Sequence, residues 1–127
     1  MQLSDLCREL EECLDGFGDV PLSVGSVTGA WLAMTGIEAV AFEGADIAAF
    51  SAGPGSYRRS GLRAKAVLDQ ARGFLRERGD MQAAVLHQGV LHTFVHLDVD
   101  DDIDEDGYPV SVAVLQAYAI KPRLSAL

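Results

Sequence analysis

Apolar residues recur at three- and four-residue steps in two stretches of this chain, and alternate or run together in most others. In residues 4–15 and the position before them, Leu3, Leu6, Cys7, Leu10 and Leu14 form one stripe. Glu9, Glu11, Glu12 and Asp15 take the opposite side. This spacing predicts a helix, with the Ser4 hydroxyl as its cap and Gly16 or Gly18 ending it in a left-handed conformation. The second stretch is Leu62–Arg78, whose apolar face is Ala64, Val67, Leu68, Ala71, Phe74 and Leu75, with Gly79 as its stop. Gly73 costs roughly 1 kcal/mol relative to Ala inside that helix, which a close helix–sheet contact would offset.

The remaining apolar residues follow strand patterns. Val20–Val24 reads as a short strand, placed at an edge because Pro21 cannot donate to a ladder. Residues 25–36, rich in Gly and Thr, read as a loop followed by a short strand around Ala30–Met34. Ile37–Glu43 and Ile47–Ser51 are expected to form a hairpin across Gly44-Ala45-Asp46. Gly53, Pro54, Gly55 and Gly61 make residues 51–61 irregular. After the second helix come strands at Gln82–His87, Val90–Val99 and Pro109–Ile120. Gln88-Gly89 and the acidic run 100–107 serve as their turns. In Val110–Ile120 both faces are largely apolar, so this strand belongs mid-sheet, covered on each side by helices or by a second copy of the chain.

The expected fold class is therefore α+β: two long helices on a mainly antiparallel sheet, in the order α-β-β-β-α-β-β-β. The 127 residues fit a single domain, 1–127, able to bury one sizeable core. Leu14–Val24 and Leu75–Val85 also echo one another. Each is a helix end, a Gly-Asp pair (Gly18-Asp19, Gly79-Asp80) and a strand, which would fit two helix–strand–strand halves packed as one sheet.

Composition narrows the setting. Hydrophobic residues make up 49% of the chain and mean hydropathy is +0.14, so a folded chain is expected. The apolar runs are shorter than the roughly 20 residues of a membrane span, and no secretory leader is expected from Met1–Asp5. Cys7 and Cys13 lie about 600° apart around the first helix, on different faces. A mutual disulfide is not expected, and reduced thiols suit a cytoplasmic protein. The net charge of −9 argues against direct nucleic-acid binding. Segment 58–78 nevertheless carries +5, which leaves −14 on the rest.

Three groups of residues are candidates for chemistry. Asp98, Asp100, Asp101, Asp102, Asp104, Glu105 and Asp106 form an acidic patch suited to a protein partner. Within it Asp102-x-Asp104-x-Asp106-Gly107 resembles the start of a calcium loop of the EF-hand kind. That resemblance implies a hard-cation site on Asp102, Asp104 and Asp106, although Ala113 stands where the closing Glu of such loops would be. Charges that stop edge strands from aggregating explain the same residues without a ligand. The second group is Gly53, Gly55, Ser56, Arg58, Arg59 and Arg63, where a Gly-rich loop before a basic helix could hold an anion. A plain connector whose arginines pair with acidic neighbours explains it as well. The third is His87, His92 and His96. Strand alternation puts His92, Phe94, His96 and Asp98 on one face, but roughly 13 Å separates His92 from His96, too far for one metal. Exposed or hydrogen-bonded sheet histidines are expected. Trp31 and Tyr57 fall in loops. No catalytic set is assembled by any motif, and neither a metal nor a cofactor is expected.

Leu6-x-x-Glu9-Leu10, followed by Gly18-Asp19-Val20-Pro21-Leu22-Ser23-Val24, resembles small proteins common in phages and mobile elements. These open with an "ELI…L" helix and enter a "D-x-P-V-x-V" strand. The resemblance implies a mobile-element or accessory setting and no particular activity. Two functional readings follow. One is a non-catalytic module acting through a protein partner or self-association. The other is a small-ligand or anion-binding domain, conceivably an enzyme, built on Gly53–Gly61 and its arginines.

Overall fold

The computed structural model describes residues 1–25, 32–53, 61–103 and 106–119. Helix α1 (Leu3–Phe17) leads into strands β1 (Leu22–Gly25), β2 (Leu32–Phe42) and β3 (Ala45–Gly53). Helix α2 (Ala64–Arg78) then leads into β4 (Gln82–His87), β5 (Val90–Ile103) and β6 (Pro109–Ala119). The expected α+β class and element order are found.

Local chemistry sets the boundaries. Gln2, not Ser4, caps α1, in a reciprocal arrangement with Asp5, because the Ser4 hydroxyl is committed to Asp80 at 2.6 Å. Gly18 and Gly79 end the two helices at φ 80° and 84°, where a Cβ would be strained. Leu32–Met34 of the short strand expected around Ala30–Met34 and Ile37–Phe42 of the next belong to a single strand, β2, while Ala30 and Trp31 lie outside the described residues. A register shift between Met34 and Gly36 lets the strand continue through the interruption that Thr35-Gly36 suggested. The β2–β3 turn is Glu43-Gly44, not Gly44-Ala45-Asp46. Both residues have positive φ, and so do Gln88-Gly89 between β4 and β5; two-residue turns of this kind match the twist of a hairpin.

The sheet closes on itself. Six strands run in the order β1-β2-β3-β4-β5-β6, and β6 returns to pair with β1. Neighbours are antiparallel except at β3–β4 and β6–β1, which are parallel. Leu22, Val24, Met34, Ala48, Phe50, Val85, Phe94, Ala113 and Leu115 project from one face of this wall and share a core with Leu3, Leu6, Leu10, Val67, Leu68 and Ala71 of the helices. A helix roughly 10 Å across cannot fit inside six strands, so the helix-covered face is the outer one. The inner face carries small side chains, Ser23, Ala33, Ala49, Ala84, Val112 and Val114, all buried, together with Ile47 and Leu91, which pack with Val40, Phe42 and Leu86. Here lies the cover for the doubly apolar β6. Helices shield one side and the barrel interior the other, so no second copy is required.

The echo between the halves becomes a pseudo-two-fold. Helix α2 begins 61 positions after α1. Leu3 N–H donates to Met81 O (2.7 Å), and its counterpart Ala64 N–H donates to Val20 O (3.0 Å). Ser4 N–H bonds the Asp80 carboxylate (3.0 Å) as Lys65 N–H bonds that of Asp19 (2.9 Å). The shift between Met34 and Gly36 has its twin between Phe94 and His96. Each helix thus starts beside the other's end, so α1 and α2 run antiparallel. Glu11 and Arg72, themselves counterparts, bond at 2.6 Å across the axis.

The narrow interior gives a stability prediction. A Cβ on Gly25 would lie 2.9 Å from Val114 Cγ1 and 3.2 Å from Gln116 Oε1. Gly25→Ala should therefore destabilise the fold by about 1–3 kcal/mol in urea unfolding, as overpacking does elsewhere.

Candidate functional site

Strand β5 outruns its neighbour β4. Its last β4 partner is at Thr93, and β6 meets β1 only from Ala113 onward. Asp101–Ile103 and Pro109–Ser111 therefore pair only with each other, as a short two-stranded ribbon projecting beyond the barrel, with Asp100 and the fully buried Val112 at its root. The acidic run expected to be a turn from residue 100 is strand up to Ile103; regular pairing extends the ladder through the aspartates. Alternation places Asp98, Asp100 and Asp102 on one face and Asp101 on the other. Ile103 and Tyr108, near the tip, are 61% and 67% exposed.

The carboxylates differ in their bonding. Asp98 Oδ2 meets His96 Nε2 at 2.9 Å, and Asp102 Oδ1 accepts the Ile103 N–H at 2.8 Å. Asp104 and Glu105 lie outside the described residues. Of the calcium candidates, Asp102 sits on β5 and Asp106 beyond the strand. Among the described residues no three His, Cys, Asp or Glu side chains are gathered to hold a metal ion.

At the root of the ribbon Phe17, 56% exposed, borders two grooves. One, about 430 Å³, is lined by Asp19, Val20, Pro21, Arg63, Val110 and Ser111 besides Phe17. The other, about 190 Å³, lies between Glu9, Glu12 and Cys13 of α1 and Leu97 and Val99 of β5. The anion-site candidates divide here. Gly53 closes β3, whereas Gly55, Ser56, Arg58 and Arg59, together with Tyr57 and Trp31, lie outside the described residues. Arg63 donates to the Asp19 carbonyl and sits 3.6 Å from its carboxylate. That carboxylate also accepts the Lys65 N–H, so it takes the place at the start of α2 that an external anion would use.

The histidines are rearranged by the β5 bulge. Because the register shifts between Phe94 and His96, His96 and Asp98 face away from His92 and Phe94 instead of sharing their side. His96 is exposed. His87 and His92 are 6% and 8% exposed and share the outer face of the wall. The His87 ring meets Ala52 O through Nδ1 at 3.1 Å, while the buried His92 Nδ1 has no partner among the described residues. Sequence reasoning missed this pair, although the Gln88-Gly89 turn was a signal that could have set its register. The thiols of Cys7 and Cys13 are both buried on α1, and burial pushes both above the ordinary cysteine range, which disfavours the reactive thiolate.

Glu9 of α1 lies near the Leu97 N–H at the ribbon's root, and its Oε2 is buried with no hydrogen-bond partner among the described residues. Burial raises its carboxyl above the ordinary 4.5, and the nearby Leu97 N–H only partly opposes this. A raised folded-state value favours the fold below the unfolded value, and that advantage is lost as pH rises through the folded one. The corresponding residue of α2 is Gln70. Glu9→Gln keeps the acceptor and removes the charge. It should melt higher than the parent near pH 7 and converge with it towards about pH 4 in thermal melts. No protein family, curated protein or solved structure was found to match this chain.

Proposed function

We propose that this is a non-catalytic accessory module that binds a basic protein partner through the β5–β6 ribbon. The projecting ribbon supports this reading. It offers carboxylates on both faces, with Ile103 and Tyr108 exposed near its tip as apolar anchors. The β2–β3 hairpin, its pseudo-two-fold counterpart, adds exposed Glu38, Glu43 and Asp46. Each of the six strands is paired on two sides where the wall closes, so contact falls to side chains on the ribbons and helices instead of strand addition within the wall. None of the described helices is long and apolar enough to cross a membrane. A cytoplasmic setting and a phage or mobile-element origin complete the proposal, the latter resting on the opening residues 6–24.

An anion-binding function based on Arg63 gains less support, because that side chain already serves Asp19. Affinity capture from a bacterial lysate, read by mass spectrometry at low and high salt, tests the partner reading. A specific basic partner should bind at about 50 mM salt and be lost near 500 mM, where the Debye length shrinks severalfold. The double variant Asp100→Asn/Asp101→Asn should weaken capture roughly tenfold while folding normally. Capture indifferent to both salt and substitution would remove the ribbon from the interaction.

A further inference from the structure

Two buried histidines, His87 and His92, share the outer face of the barrel wall. Val85 stands opposite His92 and Val90 opposite His87, so the histidines are diagonal neighbours across the β4–β5 hairpin. That geometry puts their backbones roughly 7–8 Å apart, within reach of two rings turned towards one another. The Ala52 carbonyl can only accept a hydrogen bond. The His87 tautomer that fits this contact carries its proton on Nδ1, with the lone pair on Nε2. A carbonyl holding one nitrogen in this way also fixes the tautomer of metal-ligating histidines. His92 Nδ1 is buried with no hydrogen-bond partner among the described residues, an arrangement that is unfavourable unless something fills it. Burial first, and then the neighbouring His87, disfavour protonation of His92, so its ring is neutral near pH 7.

We propose that His87 and His92 form a two-imidazole site for a borderline divalent transition metal ion, zinc foremost, completed by water or an exogenous ligand. Imidazole nitrogen selects zinc, nickel and copper over calcium and magnesium. No third protein ligand joins the pair among the described residues, so the remaining coordination positions fall to ligands brought in with the ion, and the site is weaker than a closed four-ligand centre. His96 with Asp98 is the rival place for an ion, but it lies on the other face of β5 and in solvent.

Titration of the whole chain with zinc chloride against a chromogenic chelator tests the site, alongside nitrogen-15 NMR of the histidine rings. One equivalent should bind, shifting the His87 and His92 ring nitrogens and leaving those of His96 in place. His87→Gln and His92→Gln should each weaken binding roughly tenfold or more, whereas His96→Ala should leave it unchanged. The ring shifts are read on the unmodified chain, so they decide the matter even if His92→Gln unfolds. Absence of one-equivalent binding, or zinc binding that moves only the His96 ring, would overturn the site.

Discussion

The exchange of hydrogen bonds between the two halves is the constraint on which the rest of this structure depends. The first turn of each helix has backbone N–H groups with no partner inside the helix. Here they are met by the other half: Met81 O and Asp80 receive those of α1, and Val20 O and Asp19 those of α2. Because the requirement is mutual, neither helix can be placed without the strand entry of its counterpart. The antiparallel helix pair, the parallel joins at β3–β4 and β6–β1, and the closed wall all accompany this arrangement.

From that frame the functional surfaces acquire their positions. The bulge after Phe94 turns Leu97 towards the helix side, where it packs with Val99 against the core shared with α1. The root of the ribbon is thus held by α1 while its acidic end projects. The same bulge separates His96 from His92. One extra residue in β5 therefore assigns the exposed histidine to the aspartates and leaves the buried one beside His87.

Much of the fold was legible in the pattern of residues. Leu3, Leu6, Leu10 and Val67, Leu68, Ala71 lie at helical spacing because their faces must meet one core, and all are buried. The doubly apolar β6 announced that both its sides would be covered. Barrel closure was hidden, since the return of β6 to β1 is a long-range pairing that no local spacing encodes. The continuity of β2 was hidden by Thr35-Gly36, which read as a break because a bulge residue leaves the alternation that identifies strands. Site geometry was less legible still. Alternation across Val95 placed His96 with His92, an assumption that fails wherever a strand takes in an extra residue.

The interlocked halves also bear on how the chain reaches its native state. The β6–β1 seam joins Leu22–Gly25 to Ala113–Gln116, segments about ninety residues apart in sequence. Bringing such distant segments together demands a large loss of chain entropy before any contact compensates, so closure of this seam belongs late in folding and makes the molecule a slow folder for its size. Until it forms, Val112, Val114 and Ser23 have no enclosed interior to occupy, and the nascent sheet presents an apolar, unpaired margin. Chain synthesis adds a delay of its own, because β1 emerges long before the strand it must join.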